Sequence, residues 1–176
     1  MKEIIKLSFV LMLISAVAAG SLAYVNQLTS TVIAARERQE KTVLMQQLFP
    51  DVAGLDEKTV DGQTATRALD AAGKVVGVLT EGRTSGYGGE IRFSLALDGE
   101  GKVVSVGVIS HAETPGIGDR IGQPAFLDQF IGKTTADPLT VGQDIDNITG
   151  ATDSANAMAD GVRRVLPEVV ARFLTN

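Results

Sequence analysis

The chain has no cysteine and a single histidine, His111, among its 176 residues. Without a thiolate there is no ligand for an iron–sulfur cluster, no lipobox cysteine, no c-type haem attachment and no cysteine nucleophile. Zero cysteine fits an exported domain without disulfides but does not demand one. One imidazole makes a zinc site or a Ser-His-Asp hydrolase hard to assemble, and neither a serine motif nor a cluster of metal ligands accompanies it. Positive charge is also scarce: 16 Lys and Arg stand against 21 Asp and Glu, for a net charge of −5. No concentrated basic cluster occurs, which argues against nucleic acid as a partner, because phosphate backbones require one.

What is present is a folding chain, 44% hydrophobic and 21% charged. Part of that hydrophobicity is collected in LSFVLMLISAVAAGSLAYV, Leu7 to Val25, 19 residues without a charge. At 1.5 Å rise per residue this run is close to the thickness of a bilayer's hydrocarbon region. It is either a membrane anchor or a signal peptide. Ala16 to Ala19 offer a small-residue cleavage site, but the apolar run continues through Leu22, Ala23 and Val25, with Tyr24 where an interfacial aromatic belongs. An uncleaved single-span anchor is the expectation. Lys2 and Lys6 precede the span, whereas Arg36, Arg38 and Lys41 beyond it mix with Glu37 and Glu40. That bias orients the N-terminus to the cytoplasm and exports the rest.

Residues 26–51 contain good helix formers up to Pro50, with Leu44 and Leu48 on one face, and read as a helical stalk. From about Thr64 the pattern becomes β: TRALDA, a turn at Ala72-Gly73, then KVVGVLTEG. EIRFSLAL and VVSVGVIS follow, joined by DGEGK. Ile91, Phe93, Leu95 and Leu97 alternate with Arg92, Ser94 and Ala96, as a sheet with one buried face requires. QPAFLDQFI reads as a short helix. From Ser154 the chain is helical again, with Ala155, Met158, Val162 and Val165 on one stripe and Pro167 expected to kink or restart it. There is no repeat of solenoid length. The fold expected is α+β: a single N-terminal transmembrane helix (1–25), the stalk (26–51) and one exported domain (52–176) with an antiparallel sheet and packed helices.

Three segments exceed scaffold. TSGYGGE, Thr84 to Glu90, has three glycines that permit positive φ or close approach by a backbone or ligand, although on this segment alone a plain hairpin connection is the commoner explanation. HAETPGIGDRIG, His111 to Gly122, gathers an imidazole, a carboxylate, a proline corner and glycines in one loop after a strand. Gly116, Gly118 and Gly122 miss the dinucleotide fingerprint by one residue and lack a βαβ unit, so a Rossmann site is rejected. His111 alone is more often a hydrogen-bonded structural residue than a catalyst. In DNITGATDSANAM, Asp146 to Met158, Asp153 and Ser154 are both plausible N-caps. Thr149 to Thr152 then sit at a helix start, where free N–H groups favour an anion such as phosphate. A simple capping turn is the plain alternative.

In the right order, SGYGGEIRFSLALDGEGKVVSVGVISHAETPGIGDRI and DNITGAT resemble the FMN-binding domain family of membrane electron-transport complexes. The chain is similar to the G subunit of the Rnf (also called Rsx) ion-translocating complex, a relative of the C subunit of the sodium-translocating NADH:quinone reductase. The likeness covers the anchor and essentially the whole exported domain, and the shortness of the chain favours the Rnf relative.

That resemblance implies an electron-carrier subunit of an ion-translocating complex in the cytoplasmic (inner) membrane, its C-terminal domain on the periplasmic or extracytoplasmic side. It implies FMN joined covalently by a phosphoester to Thr152 after a flavin transferase moves it from FAD. Asp146, Thr149, Gly150, Ala151 and Thr152 would form the sequence that the transferase reads. Glu113, Thr114, Gly116, Ile117 and Gly118 would lie beside the flavin, with Thr149, Gly150 and Ala151 also binding it. No side chain is assigned a catalytic role and no metal is implied; the partners are the other subunits, the transferase and the bilayer. Asp153 stands where a hydrophobic residue is usual, a mild repulsion toward a phosphodiester. Two alternatives remain at this stage: an anchored extracytoplasmic module that binds FMN or another phosphorylated ligand reversibly, and an assembly subunit without cofactor.

Overall fold

The structure, a computed structural model, describes residues 2–174. One helix, α1 (Lys2–Leu48), holds the apolar run and the charged segment that follows it. From Lys2 to Ser30 it is long and apolar enough to cross a membrane, and its most apolar window is wholly unburied. The chain divides into two units, the first ending at Leu44 and the second beginning at Met45.

The second unit is built on a five-stranded antiparallel meander in the order β1-β2-β3-β4-β5. β1 (Gly54–Val60) pairs with β2 (Gln63–Leu69), Val60 opposite Gln63, so that Asp61 and Gly62 alone turn the chain. Their φ values of +51° and +79° are those of a type I′ hairpin turn, which Asp-Gly suits. The sequence pattern starts β structure near Thr64, and the structure starts it at Gly54. β1 is an edge strand exposed along most of its length, so it has no buried face to impose alternation. Asp56, Glu57 and Lys58 blunt the open edge instead, with Asp56 ion-paired across the ladder to Arg67.

β3 (Val75–Ser85), β4 (Glu90–Asp98) and β5 (Val103–His111) complete the sheet. The turns before β3 and before β5 share one device. Asp70 Oδ1 accepts from the backbone N–H groups of Ala72 and Lys74 at 2.8 and 2.9 Å, and Asp98 Oδ1 accepts from Glu100 and Lys102 at 2.9 Å each. Gly73 and Gly101, at φ +80° and +83°, supply the left-handed residue that each turn needs.

The alternating residues Ile91, Phe93, Leu95 and Leu97 are fully buried, as expected. The long C-terminal helix, α3 (Thr152–Val169), covers that face with Ala155, Met158, Val162, Leu166 and Val169. Glycines set the distance: a Cβ on Gly82 or Gly161 would fall 2.3 or 2.9 Å from the Phe93 ring. α3 runs through Pro167 without restarting and widens to a π turn at Val170–Leu174. An interior proline costs roughly 3 kcal/mol, whereas burying Leu166 and Val169 returns about 1.5 to 3 kcal/mol each, so packing wins. On the opposite face Phe49 lies over Gly77, where a Cβ would meet the ring at 2.2 Å.

QPAFLDQFI forms the short helix α2 (Pro124–Leu127), flanked by 3-10 turns at Gly118–Gly122 and Asp128–Phe130. Phe126 and Phe130 meet edge to face, 5.5 Å between ring centres.

Candidate functional site

Glu113 follows β5 by two residues and is 5% exposed, a depth at which a carboxylate needs partners. Its Oε2 accepts from the Ser154 hydroxyl at 2.5 Å, and its Oε1 accepts from the Gly88 N–H at 3.1 Å. It thereby ties the β3–β4 loop, the loop after β5 and the first turn of α3 together. The glycines of Thr84 to Glu90 are therefore more than hairpin residues. A Cβ on Gly86 would lie 2.0 Å from Glu113 Oε1, one on Gly88 2.2 Å from the Ala112 carbonyl, and one on Gly118 2.7 Å from Glu113 Oε2. Close approach, not turn geometry alone, requires them. His111 is exposed, and its Nδ1 accepts from the Glu113 N–H at 3.3 Å, a structural contact.

The three segments enclose a cavity of about 550 Å³, within the range of small-molecule sites. Tyr87, Glu113, Thr114, Ile117 and Gly118 from the two loops line it together with Gly150, Ala151, Thr152, Asp153 and Ser154 from the turn before α3 and the start of that helix. Of the residues singled out from sequence, Glu113, Thr114, Ile117, Gly118, Gly150, Ala151 and Thr152 thus meet here. Gly116, Thr149 and Asp146 are not in the lining. Gly116, at φ +77°, turns the chain so that the Ile117 N–H reaches the Thr114 carbonyl at 3.2 Å. The Thr149 carbonyl accepts from Arg120 Nη1 at 3.4 Å, and the Asp146 N–H donates to Gln129 Oε1 at 2.5 Å. Tyr87, Asp153 and Ser154 are lining residues that the sequence reading does not assign to the cofactor. Tyr87, 75% exposed, is the one aromatic inside the glycine loop, the signal that marks it.

The capping expectation needs correction. α3 begins at Thr152, with Ala151 at the N-cap position and no side-chain cap hydrogen bond. Asp153 and Ser154 lie inside the first turn, and the Ser154 hydroxyl is already committed to Glu113. No side-chain cap therefore consumes the N–H groups that a first turn leaves unbonded. Ahead of the helix, Ile148 to Ala151 form a turn with Gly150 at φ +84° and the Ala151 N–H on the Ile148 carbonyl at 2.9 Å. That turn folds Asn147 back, so that its amide donates to the exposed Thr152 hydroxyl oxygen at 2.9 Å.

The approach to this turn is fixed by Asp144, which accepts from the Thr140 and Leu139 N–H groups at 2.8 and 3.2 Å and from Lys133 Nζ at 2.9 Å. Burial pushes its carboxyl up, but the Thr140 N–H, Lys133 and the Leu139 N–H outweigh it and hold the group below the ordinary 3.8. A folded value below the unfolded one adds stability that is present above pH 3.8 and lost as pH falls through the lowered value. Asp144→Asn should cost about 2 to 3 kcal/mol at neutral pH, the size of hydrogen bonds to a charged group. Thermal melts at descending pH should show this gap between the proteins closing only in the acid range.

The antiparallel meander under α3 is a fold shared with a solved structure. It matches the crystal structure of the C subunit of the Na(+)-translocating NADH-quinone reductase from Parabacteroides distasonis with a TM-score of 0.52 and 20% identity, over 65% of this chain and 63% of that one. Residues 86–167, which contain the whole cavity lining, match the FMN-binding domain family, and residues 1–48 match the RnfG N-terminal region. The G subunit of the proton-translocating ferredoxin:NAD(+) oxidoreductase complex of Clostridium ljungdahlii is 32% identical over 84% of this chain and 82% of that one. The G subunit of the Na(+)-translocating ferredoxin:NAD(+) oxidoreductase complex of Acetobacterium woodii is 30% identical over 92% and 89%. The G subunit of the ion-translocating oxidoreductase complex of Methanosarcina acetivorans is 29% identical over 97% of each. The chain belongs to the family of G subunits of ion-translocating oxidoreductase complexes.

Proposed function

We propose that this protein is the electron-carrier subunit of a membrane-bound, ion-translocating electron-transport complex and that it carries FMN on Thr152 through a phosphoester. The observation that carries this reading is Thr152 itself: an exposed hydroxyl at the edge of a cavity of about 550 Å³, on the uncapped first turn of an 18-residue helix. The residues fit the cofactor. A first turn without a side-chain cap favours a phosphoryl group. Tyr87 and Ile117 give the cavity apolar surface for a ring, and Gly150 leaves the approach to Thr152 open. FMN supplies the one- and two-electron chemistry that this chain, without cysteine, has no side chain to perform. The protein's share would be to hold the phosphoryl end at Thr152, keep the walls fixed through Glu113 and line the ring's cavity with Ile117 and Gly118.

In this reading residues 1–25, most of which fall in the Lys2–Ser30 stretch long and apolar enough to cross a membrane, are the single membrane anchor, residues 26–51 act as a stalk, and residues 52–176 work on the extracytoplasmic side of the cytoplasmic membrane. Support for that side comes from Lys2 and Lys6 ahead of the span. A tether also keeps a phosphorylated cofactor from being lost outside the cytoplasm. A flavin transferase would recognise Asp146 and Thr149 to Thr152 during maturation, and the other subunits of the complex would exchange electrons with the domain.

Orientation has a direct test because the chain contains no native thiol. In Thr135→Cys, at an exposed loop position, the new thiol should react in intact spheroplasts with a membrane-impermeant maleimide. Labelling only after lysis would place the domain in the cytoplasm and contradict the proposed topology.

A further inference from the structure

We infer that Asn147 positions the Thr152 hydroxyl for flavin attachment, an inference that rests on the attachment reading above. Three observations hold the amide in place. The neighbouring Asp146 N–H is bonded to Gln129 Oε1 at 2.5 Å, the next residue, Ile148, is buried at 6% exposure, and Gly150 turns the chain back onto α3. The Asn147 side chain is thus suspended between two fixed points, and its Nδ2 donates to Thr152 Oγ1 at 2.9 Å. The contact is not a helix cap, since α3 has no side-chain cap hydrogen bond.

The direction of that bond matters chemically. With one lone pair of Oγ1 engaged by the amide, the threonine rotamer is fixed, and the hydroxyl proton and the remaining lone pair point away from Asn147. In the transfer, the Thr152 oxygen forms a bond to the phosphorus of the FMN half of FAD, and the pyrophosphate bridge to the AMP half breaks. AMP leaves with the electron pair of that bond, and the hydroxyl proton passes to a base of the transferase. Asn147 neither gives nor takes a proton. Its contribution is orientation, which raises the fraction of encounters that begin with the oxygen in line.

The test is the rate at which full-length protein in detergent takes up denaturation-stable flavin from FAD and the host's flavin transferase. Wild type is compared with Asn147→Ala and with Asn147→Asp, which keeps the shape and loses the N–H donors. Both variants should react roughly tenfold more slowly at saturating acceptor, the size expected for one neutral hydrogen bond, with KM for the chain and Tm little changed. Rates equal to wild type in both variants, or a rise in KM alone, would overturn the positioning role. A wild-type chain that takes up no stable flavin contradicts the attachment reading itself and is thereby told apart from a failure of Asn147.

Discussion

Thr152→Ala should lose all flavin that survives denaturation, while Thr152→Ser should retain it. The expected effect is all or none because it concerns a covalent bond. Other hydroxyls share the cavity, and the structure separates them. Ser154 is 2% exposed and donates to Glu113, so its oxygen is not free to react. Thr114 and Tyr87 stand on the loops after β5 and after β3, not on the uncapped first turn of α3. Thr152 alone combines exposure, a place in the cavity lining and an amide that fixes its rotamer. A module that binds FMN reversibly behaves differently, since neither the wild type nor the variant then carries flavin through denaturation. Fluorescence of the denatured protein on a gel distinguishes the two.

Glu113→Ala should destabilise the domain by about 3 to 5 kcal/mol. The substitution leaves the buried Ser154 hydroxyl without an acceptor, at roughly 1 to 3 kcal/mol, removes the hydrogen bond from the N–H of the exposed Gly88, at about 0.5 to 1.5 kcal/mol, and opens a gap where the side chain packed. For a domain of this size that loss lowers Tm on the order of 10 °C. The consequence for the site is larger than the number conveys, because this carboxylate is what holds the glycine loop against α3. Gly118→Ala attacks the same joint from the other side, placing a methyl 2.7 Å from Glu113 Oε2 and 2.9 Å from Ser154 Oγ. Differential scanning calorimetry of Glu113→Ala, set beside Glu113→Gln, reads the effect. A Tm within a degree or two of wild type for Glu113→Ala would mean that the joint holds nothing.

Much of the fold was legible because its signals are local. The Ile91-to-Leu97 alternation maps directly onto the buried face of β4, and the stripe from Ala155 to Val165 maps onto α3. β1 escaped because both of its faces meet solvent, although the Asp61-Gly62 turn that creates it was visible in the sequence. At the site, the loop after β5 and the Thr-Gly-Ala-Thr turn stood out by composition, and the fold brings them to the lining of one cavity. What sequence could not show was the fastening. Glu113 reaches partners 25 and 41 residues away, and no periodicity or spacing encodes such a pair. The same holds for helix capping. Asp153 and Ser154 have the right side chains for a cap, but Ser154 is drawn inward to a buried carboxylate and the helix starts earlier.

The central claim concerns one bond at one residue, and intact mass of the denatured protein purified from its host tests it most directly. The wild-type chain should carry the added mass of FMN less one water, and peptide mapping should place that mass on the fragment holding Thr152. In Thr152→Ala it should be absent. An unmodified wild-type mass from a host that makes the flavin transferase, or a flavin mapped to any other residue, would contradict the claim.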